Sequence, residues 1–532
     1  MFFLLLKHPV FVPKHIIQNT PFIYSSVWCS ATKFGTRCSF NNLCYNPNLE
    51  IFLFIMGNRT TISGINSRNE LKQITTSWMN HSHFYLKLAL VDSIEEYKLI
   101  TDKTILISRF KPDNIMHVIH DDLLPLYVTY KRICSGNVDE CSSKFLISFL
   151  NPFNSSFNRL YEIFTNKPFL SLNSLNSIVC FSDIHVGLDS DSIFYQYGFE
   201  KPQGFVKPVI TGSILYEFTE HILTHFHIKR SLNSKSTFIG REFNRKILNQ
   251  NFLIELIKDI HIKTLKQNLS VNNLDINTHP IEEVIQSIAN SKLLYGMHGA
   301  GMILSMFLPT GGISVELFPY GIVREHVSGL YSMSKMSGIY FGYLSWTNSK
   351  KENSLFHPEY PLLHGGIEGL SVAEKIRIST ATSVPPVVCC HNPLYLHFMF
   401  QDTYVDFSIV SIVKKSFEIY KPDNIINLIY KTWYYPSQVR NINCSINNTH
   451  VIINWKPPIN IRNLAETIYK ITISSPKYNS TLITKSTSVT SKSFKTEKLL
   501  IWIQCVINDI EGDDTHFVCE NMTSFNTRPG PD

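Results

Sequence analysis

A short apolar run, Leu293-Leu294-Tyr295, passes into Gly296-Met297-His298-Gly299-Ala300-Gly301, and a clean strand ending in Glu316 follows. Strand, glycine-rich turn, helix and strand in that order leave few folds open. Strands joined through helices in this way lie parallel in one α/β sheet. Glycines at 296, 299 and 301 carry no Cβ, so the backbone can turn tightly and a ligand can approach it closely. The free N–H groups of the helix that the turn opens favour an anion. An acid at the end of the next strand, Glu316, is placed to accept hydrogen bonds from a ribose. The stretch reads as a site for a nucleotide diphosphate. No Lys-Ser/Thr follows the glycines, so an ATPase P-loop is excluded, and GxGxxG does not fit. A second reading stays open, in which the glycines serve only tight packing of helix on strand.

The best-defined helix lies just upstream. Ile281, Val284, Ile285, Ile288 and Ala289 recur at helical spacing and form one apolar face, predicting a helix over 281–292. Pro280 suits its first position, and Glu282 and Glu283 oppose the dipole in its first turn. Before it, 235–240 reads as a strand and 252–259 as a helix. Further upstream, strands are expected at 50–56, 104–107, 144–150 and 177–181, with a helix over 122–132. Two successive α/β units imply two parallel-sheet domains facing a cleft. The division expected is a cysteine-bearing lead-in over 1–60, a first Rossmann-like domain over 61–230, a second over 231–385 and a return segment over 386–435. From 436 to 532 the character changes to short strands, at 450–458, 469–473 and 500–507, with Trp455 before a Pro pair. That pattern reads as an all-β fibronectin type III sandwich.

Composition narrows the partners. The chain has 49 basic and 42 acidic residues, a net charge of +7, and its basic residues are scattered, so nucleic acid is not expected. Eight Asn-x-Ser/Thr sequons stand at Asn58, Asn80, Asn154, Asn268, Asn443, Asn447, Asn479 and Asn521. Eleven cysteines without any Cys-x-x-Cys pair suit disulfides in an oxidising compartment rather than zinc, and the odd count leaves at least one thiol free or intermolecular. At the N-terminus, Met1 to Leu6 is apolar and Lys7, His8 and Pro9 then break the run. That is too short for a membrane helix and lacks the layout of a signal peptide, so a truncated or mis-assigned start is expected.

The segment Arg109 to Asp122 holds His117, His120, three aspartates and an arginine directly after a strand. If it is helical from Asn114, His117 and Asp121 lie one turn apart on one face, so one can act as general base and the other can orient it. Two other readings are a divalent cation held by His117, Asp121 and Asp122, or helix capping with a core histidine. A third patch, Gly240-Arg241-Glu242-Phe243-Asn244-Arg245, follows the first strand of the second domain. Its arginines offer bidentate forks for phosphate where ligands sit beyond the carboxyl ends of strands.

The runs 109–127, Tyr195-Gln196-Tyr197-Gly198-Phe199, 296–300 with Phe307-Leu308-Pro309, and Val315 to Tyr320 carry a resemblance. Cys389-Cys390-His391-Asn392-Pro393 and Gln401-Asp402-Thr403-Tyr404-Val405-Asp406 share it. Together they resemble the protein O-linked-mannose β-1,4-N-acetylglucosaminyltransferases. These form part of an inverting glycosyltransferase family shared with the EGF-domain O-GlcNAc transferase and plant xylosyltransferases. The resemblance runs from about Val27 to the terminal module, which the EGF-domain enzyme lacks. It implies a GT-B fold and transfer of GlcNAc from UDP-GlcNAc, with inversion, to O-mannose on dystroglycan-type glycoproteins in the endoplasmic reticulum. It implies no cofactor, and a divalent metal not required or only weakly stimulating. Donor binding would fall to Arg109, Arg241, Asn244, Arg245, His298, Gly299, Ala300 and Glu316, with Glu316 on the ribose. His117, His120, Asp121 and Asp122 would face the acceptor, with Asp121 or Asp122 as base. Two departures stand out: the N-terminal membrane anchor of the family is not seen, and Gly301 replaces a larger polar residue. The alternatives are an inactive glycan-binding adaptor, or an O-GlcNAc transferase with another secretory-pathway acceptor.

Overall fold

In the second α/β unit, strands alternate with amphipathic helices, and the inner strands Ser291–Met297 and Ile313–Phe318 are almost wholly buried, the pattern that a parallel sheet covered by helices requires. The computed structural model describes residues 23–520 except 33–34, 66, 78–83, 135–136, 150–154, 190–191, 197–203, 206–211, 328, 335, 337–340, 386–387, 389–390, 420–438, 447–449, 459–466, 476–477, 493–497 and 508–509. Five strands, Asn233–Ile239, Ser270–Leu274, Ser291–Met297, Ile313–Phe318 and Gly342–Thr347, form one sheet, and every pairing in it is parallel. The first strand in the chain lies between the second and the third. Strand order therefore reverses between Asn233–Ile239 and Ser291–Met297, and a crevice opens beyond their carboxyl ends.

Helix Ile281–Ala289 buries Ile281, Val284, Ile285, Ile288 and Ala289, the face expected from sequence. Each such side chain contributes roughly 1.5–3 kcal/mol relative to exposure. The helix stops before 292 because Ser291 and Lys292 already belong to the next strand, and Pro280 is its N-cap rather than its first residue.

The first α/β unit departs from the expected parallel sheet. Strands Leu170–Ser171, Phe145–Phe149, Lys103–Ile107 and Ile184–Val186 are parallel, again with a reversal of order, between the last two. Gly35–Asn41 then joins antiparallel to Ile184–Val186, and Ser26–Thr32 pairs antiparallel beyond it. Leu43–Asn46 and Ile51–Ile55 enter a second five-stranded sheet. The lead-in is thus woven into both sheets, and disulfides Cys29–Cys38 and Cys44–Cys180 fasten it there. One apolar core joins the two α/β units and holds Ile115, Val118 and Ile119 of the first together with Met302, Ile303 and Leu304 of the second.

In the return segment, helix Ile409–Ile419 lays Val413 and Phe417 on the parallel sheet of the second α/β unit. The terminal unit has a three-stranded and a four-stranded antiparallel sheet around Val451, Ile453, Trp455, Ile471, Ile501 and Ile503. Cys444–Cys519 is bridged in this unit, Cys134–Cys141 in the first, and Cys505 is a buried free thiol. Among the described residues no helix is long and apolar enough to cross a membrane. Tyr197 to Phe199, Cys389-Cys390 and the sequons at Asn80, Asn154, Asn447 and Asn521 lie outside the described residues.

Candidate active site

Arg241 and Arg245 follow the strand Asn233–Ile239, and His298 and Gly299 follow Ser291–Met297, so all four meet where the strand order reverses. Gly299 has φ +150°, and a Cβ there would fall within 2.6 Å of Arg241 Nη2 and closer still to Arg245 Nη1. The absent side chain is the space that both guanidiniums border. Arg245 Nη1 donates to the His298 carbonyl at 3.1 Å. Both Nε atoms are out of reach of water with no hydrogen-bond partner among the described residues. Burial and then the charge of Arg245 hold Arg241 well below its ordinary pKa, against the pull of Asp275. Burial lowers Arg245 to about 10. Two neighbouring, half-buried cations form a receptor for an anion.

Ala300 starts a short 3-10 helix, Ala300–Phe307, whose first N–H groups look back into the turn. Asn244 is half-buried on the arginine loop. Gly296 has the packing role, since a Cβ there would lie 2.6 Å from Met302 Sδ and 3.3 Å from Ile239 Cβ. Glu316 sits on the neighbouring strand, and its carboxylate is already engaged. His298 Nδ1 lies 2.7 Å from Oε1, and the Tyr343 hydroxyl donates to Oε2 at 2.6 Å. The His298 ring also stacks on Phe318, centroids 4.9 Å apart. Glu316 therefore fixes the imidazole of the glycine turn.

The acid–histidine cluster follows strand Lys103–Ile107, at the corresponding reversal of the first sheet. Asn114 caps the helix start, its Oδ1 accepting from Met116 N at 3.0 Å. The backbone then widens into a π-helix over Val118–Leu123, a local form that recurs at functional sites. The buried Asp121 carboxylate lies between two imidazoles, with His117 Nδ1 2.5 Å from one oxygen and His120 Nδ1 2.6 Å from the other. His120 Nε2 accepts the Phe194 N–H at 3.3 Å, which places the His120 proton on Nδ1, toward Asp121. Burial pushes Asp121 upward, but the two histidines outweigh it and leave the carboxyl below its usual range. His117 is the member of this trio that reaches the surface, at 7% exposure against 0% for His120 and Asp121.

Asp122 belongs to a different group. Tyr161 OH donates to its Oδ2 at 2.5 Å, and Arg109 lies over the rings of Phe149 and Tyr161 at 4.1 and 5.5 Å. Arg109 Nη1 also donates to Asn158 Oδ1 at 3.2 Å. Burial drives Asp122 up to about 8, with Asp121 adding to the rise, while Tyr161, Arg109 and the Phe110 N–H oppose it. The structure thus brings Arg109 to Asp122 rather than to the arginines of the glycine turn. Tyr161 and Tyr343, which hold Asp122 and Glu316, had no signal in the sequence: each is one aromatic among many in an apolar run.

The two halves of the site pack against each other. The helix start Ile115–His117 packs against Ala300–Phe307, the helix opened by the glycine turn. Among the described residues no group of three or more His, Cys, Asp or Glu is arranged to hold a metal ion.

The Glycosyltransferase 61 family model matches residues 115–315, which contain both halves of this site. Protein O-linked-mannose beta-1,4-N-acetylglucosaminyltransferase 2 of Xenopus laevis is 28% identical over 510 residues, covering 90% of this chain and 86% of its own. The proteins of that name from Mus musculus and Homo sapiens are each 29% identical, over 506 and 504 residues, covering 88% and 89% of this chain and 84% of their own. A solved structure, the rat CD45 extracellular region, domains d3-d4, aligns to 16% of this chain and 50% of its own. Its 10% identity and TM-score of 0.15 are too slight to bear on the fold.

Proposed function

We propose that this glycosyltransferase transfers N-acetylglucosamine from UDP-GlcNAc, in β1,4 linkage with inversion, to O-linked mannose on dystroglycan-type glycoproteins. The observation that carries the reading is the docking of the acid–histidine helix start on the helix of the two-arginine glycine turn. A single displacement needs a base near an anion receptor, and that packing supports such an arrangement. The mannose 4-hydroxyl attacks the anomeric carbon from the face opposite UDP, and the bond from that carbon to the phosphate oxygen breaks. Charge developing on UDP falls on Arg241, Arg245 and the N-terminus of Ala300–Phe307.

The hydroxyl proton goes to Nε2 of His117, with Asp121 orienting that imidazole and balancing its charge. Neither aspartate takes the proton in this reading. Asp121 is enclosed by two imidazoles, and Asp122 is held by Tyr161, with burial pushing its carboxyl up to about 8 and favouring the protonated form. Arg241 and Arg245 supply positive charge at the diphosphate, which supports activity without a divalent metal, or with weak stimulation only.

We read the two α/β units as a GT-B pair, supported by a strand-order reversal in each sheet with site residues at its carboxyl ends. The terminal unit reads as a fibronectin type III module, supported by its three- and four-stranded sheets and shared core. Four disulfides among the described residues and the exposed sequons Asn58 and Asn268 support the lumen of the endoplasmic reticulum, with type II membrane attachment expected from the resemblance.

The test is transfer from UDP-GlcNAc to an O-mannosyl peptide by protein secreted from cultured cells, in EDTA. A β1,4-linked product is expected. UDP binding with no product, even with manganese restored, would leave a glycan-binding adaptor or another acceptor.

A further inference from the structure

Gln401-Asp402-Thr403-Tyr404-Val405-Asp406 lies far along the chain from the glycine turn, yet the structure lays it along the arginine loop. Thr403 pairs with Ile247 in a parallel bridge, Thr403 N donates to the Lys246 carbonyl at 2.8 Å, and Leu248 N donates to the Thr403 carbonyl at 2.9 Å. Asn249 and Val405 exchange two more bonds, at 2.8 and 2.9 Å.

Three consecutive residues do more than pair. Phe400 places its ring 5.0 Å from the Arg245 guanidinium. Gln401, 1% exposed, donates to the carbonyls of Tyr320 and Phe398 at 2.9 and 2.6 Å, tying this segment to the chain just beyond the Glu316 strand. Asp402, also 1% exposed, accepts the Lys246 N–H at 2.7 Å through Oδ1, while His357 Nε2 lies 3.1 Å from Oδ2. Lys246 is the residue immediately after Arg245, and Arg245 has φ +55°. A non-glycine residue keeps a left-handed backbone only where its surroundings over-determine it. The Asp402 bond to the next N–H, the Phe400 ring below and the His298 carbonyl at Nη1 are what fix it here.

We propose that Phe400, Gln401 and Asp402 are positioning residues for the donor: a brace that holds Arg245 in its phosphate-facing pose and locks the arginine loop to the Glu316 side of the crevice. The proposal rests on the donor-site reading above. The brace touches no reacting atom, so it acts on donor affinity and leaves chemistry at saturating donor nearly intact.

The experiment uses the full chain with Asp402→Asn, Phe400→Leu and Phe400→Tyr, and with Val413→Ala as a core control of comparable loss in Tm. UDP Kd is measured by calorimetry, and KM for UDP-GlcNAc and for the O-mannosyl peptide is measured with kcat. Asp402→Asn and Phe400→Leu should each raise UDP Kd and donor KM about tenfold, the scale of one lost charge-assisted contact. Acceptor KM and kcat should stay within about threefold, Phe400→Tyr should restore donor KM because it keeps the ring, and Val413→Ala should leave donor KM unchanged. Equal UDP affinity in parent and variants would overturn the brace alone, as would an equal rise of donor KM in Val413→Ala. A parent chain that does not bind UDP would overturn the donor site and the brace with it.

Discussion

Replacing Asp121 with Asn separates the roles of the two adjacent aspartates. Both Asp121 oxygens receive an imidazole Nδ1, at 2.5 and 2.6 Å. An amide of the same shape offers one oxygen and one NH2, so one imidazole meets a donor where it met an acceptor and must change tautomer or turn away. His120 is pinned from its other side by the Phe194 N–H, so His117 is the ring that yields. A base lost from its tautomer and orientation costs roughly 10²–10⁴ in turnover, about 2.7–5.4 kcal/mol of barrier. Asp122 is raised to about 8, which favours the protonated form at pH 7, and Asn imitates that form. Asp122→Asn should then cost less than about tenfold at that pH, well below the orientation loss at Asp121. The assay is kcat for GlcNAc transfer to an O-mannosyl peptide at pH 7 with both substrates saturating, alongside Tm to show that the variants are folded. Combining His117→Gln with Asp121→Asn should be little worse than either alone, since the two act as one unit. A folded Asp121→Asn within tenfold of the parent, with Asp122→Asn down a thousandfold, would refute the argument and make Asp122 the base.

Arg241→Ala should weaken the donor by about 1–3 kcal/mol with little change in kcat, read as donor KM and UDP Kd; an unchanged donor KM would remove Arg241 from the site. Gly299→Ala should abolish measurable UDP binding while the chain still folds, because the new methyl occupies the space between the two guanidiniums; calorimetric binding near the parent value would contradict this. The raised pKa of Asp122 means that the unfolded chain loses this proton at lower pH than the folded one, so the stability it contributes is present below about 4 and is lost as pH rises toward 8. Asp122→Asn should remove that loss, gaining on the parent by up to about 1.4 kcal/mol per pH unit between pH 5 and 8 in denaturant titrations; parallel pH profiles would show that Asp122 is ionised throughout. Removing residues 436–532 should leave slow transfer to a short mannosyl peptide; loss of all transfer by a folded truncation would place part of the site in the terminal unit.

Local patterns were readable in this chain, and long-range ones were not. The helix from Ile281 and the glycine turn declare themselves because each is written in adjacent residues, one by spacing and the other by missing side chains. His117 and Asp121 were readable as a pair because one helical turn separates them, although the π-helix between them reflects packing and has no marker of its own. Tyr343 and Tyr161 acquire their roles only when strands or helices distant in sequence bring a buried carboxylate to them. Arg109 illustrates the same limit: its chemistry suited phosphate, and its place in the fold gave it to Asp122 and two aromatic rings instead. The lead-in strand expected at 50–56 is found at Ile51–Ile55, but Ser26–Thr32 and Gly35–Asn41 were missed, because the partner of Gly35–Asn41 is Ile184–Val186, far downstream.

That pairing governs how the molecule can be made. Gly35–Asn41 emerges early in synthesis, but its neighbour Ile184–Val186 emerges only after the strands and helices between them. Cys44 likewise waits for Cys180, 136 residues later. The first α/β unit therefore cannot close while the chain is being threaded outward; the hairpin of Ser26–Thr32 and Gly35–Asn41 can form early, but its second edge and the Cys44 thiol must wait until residue 186 is clear of the ribosome. Early strands with free edges and a waiting thiol are exposed to wrong partners, including Cys29 and Cys38 nearby. Yield of active protein should then depend less on the stability of the finished fold than on a host that shields open strands and reshuffles thiols.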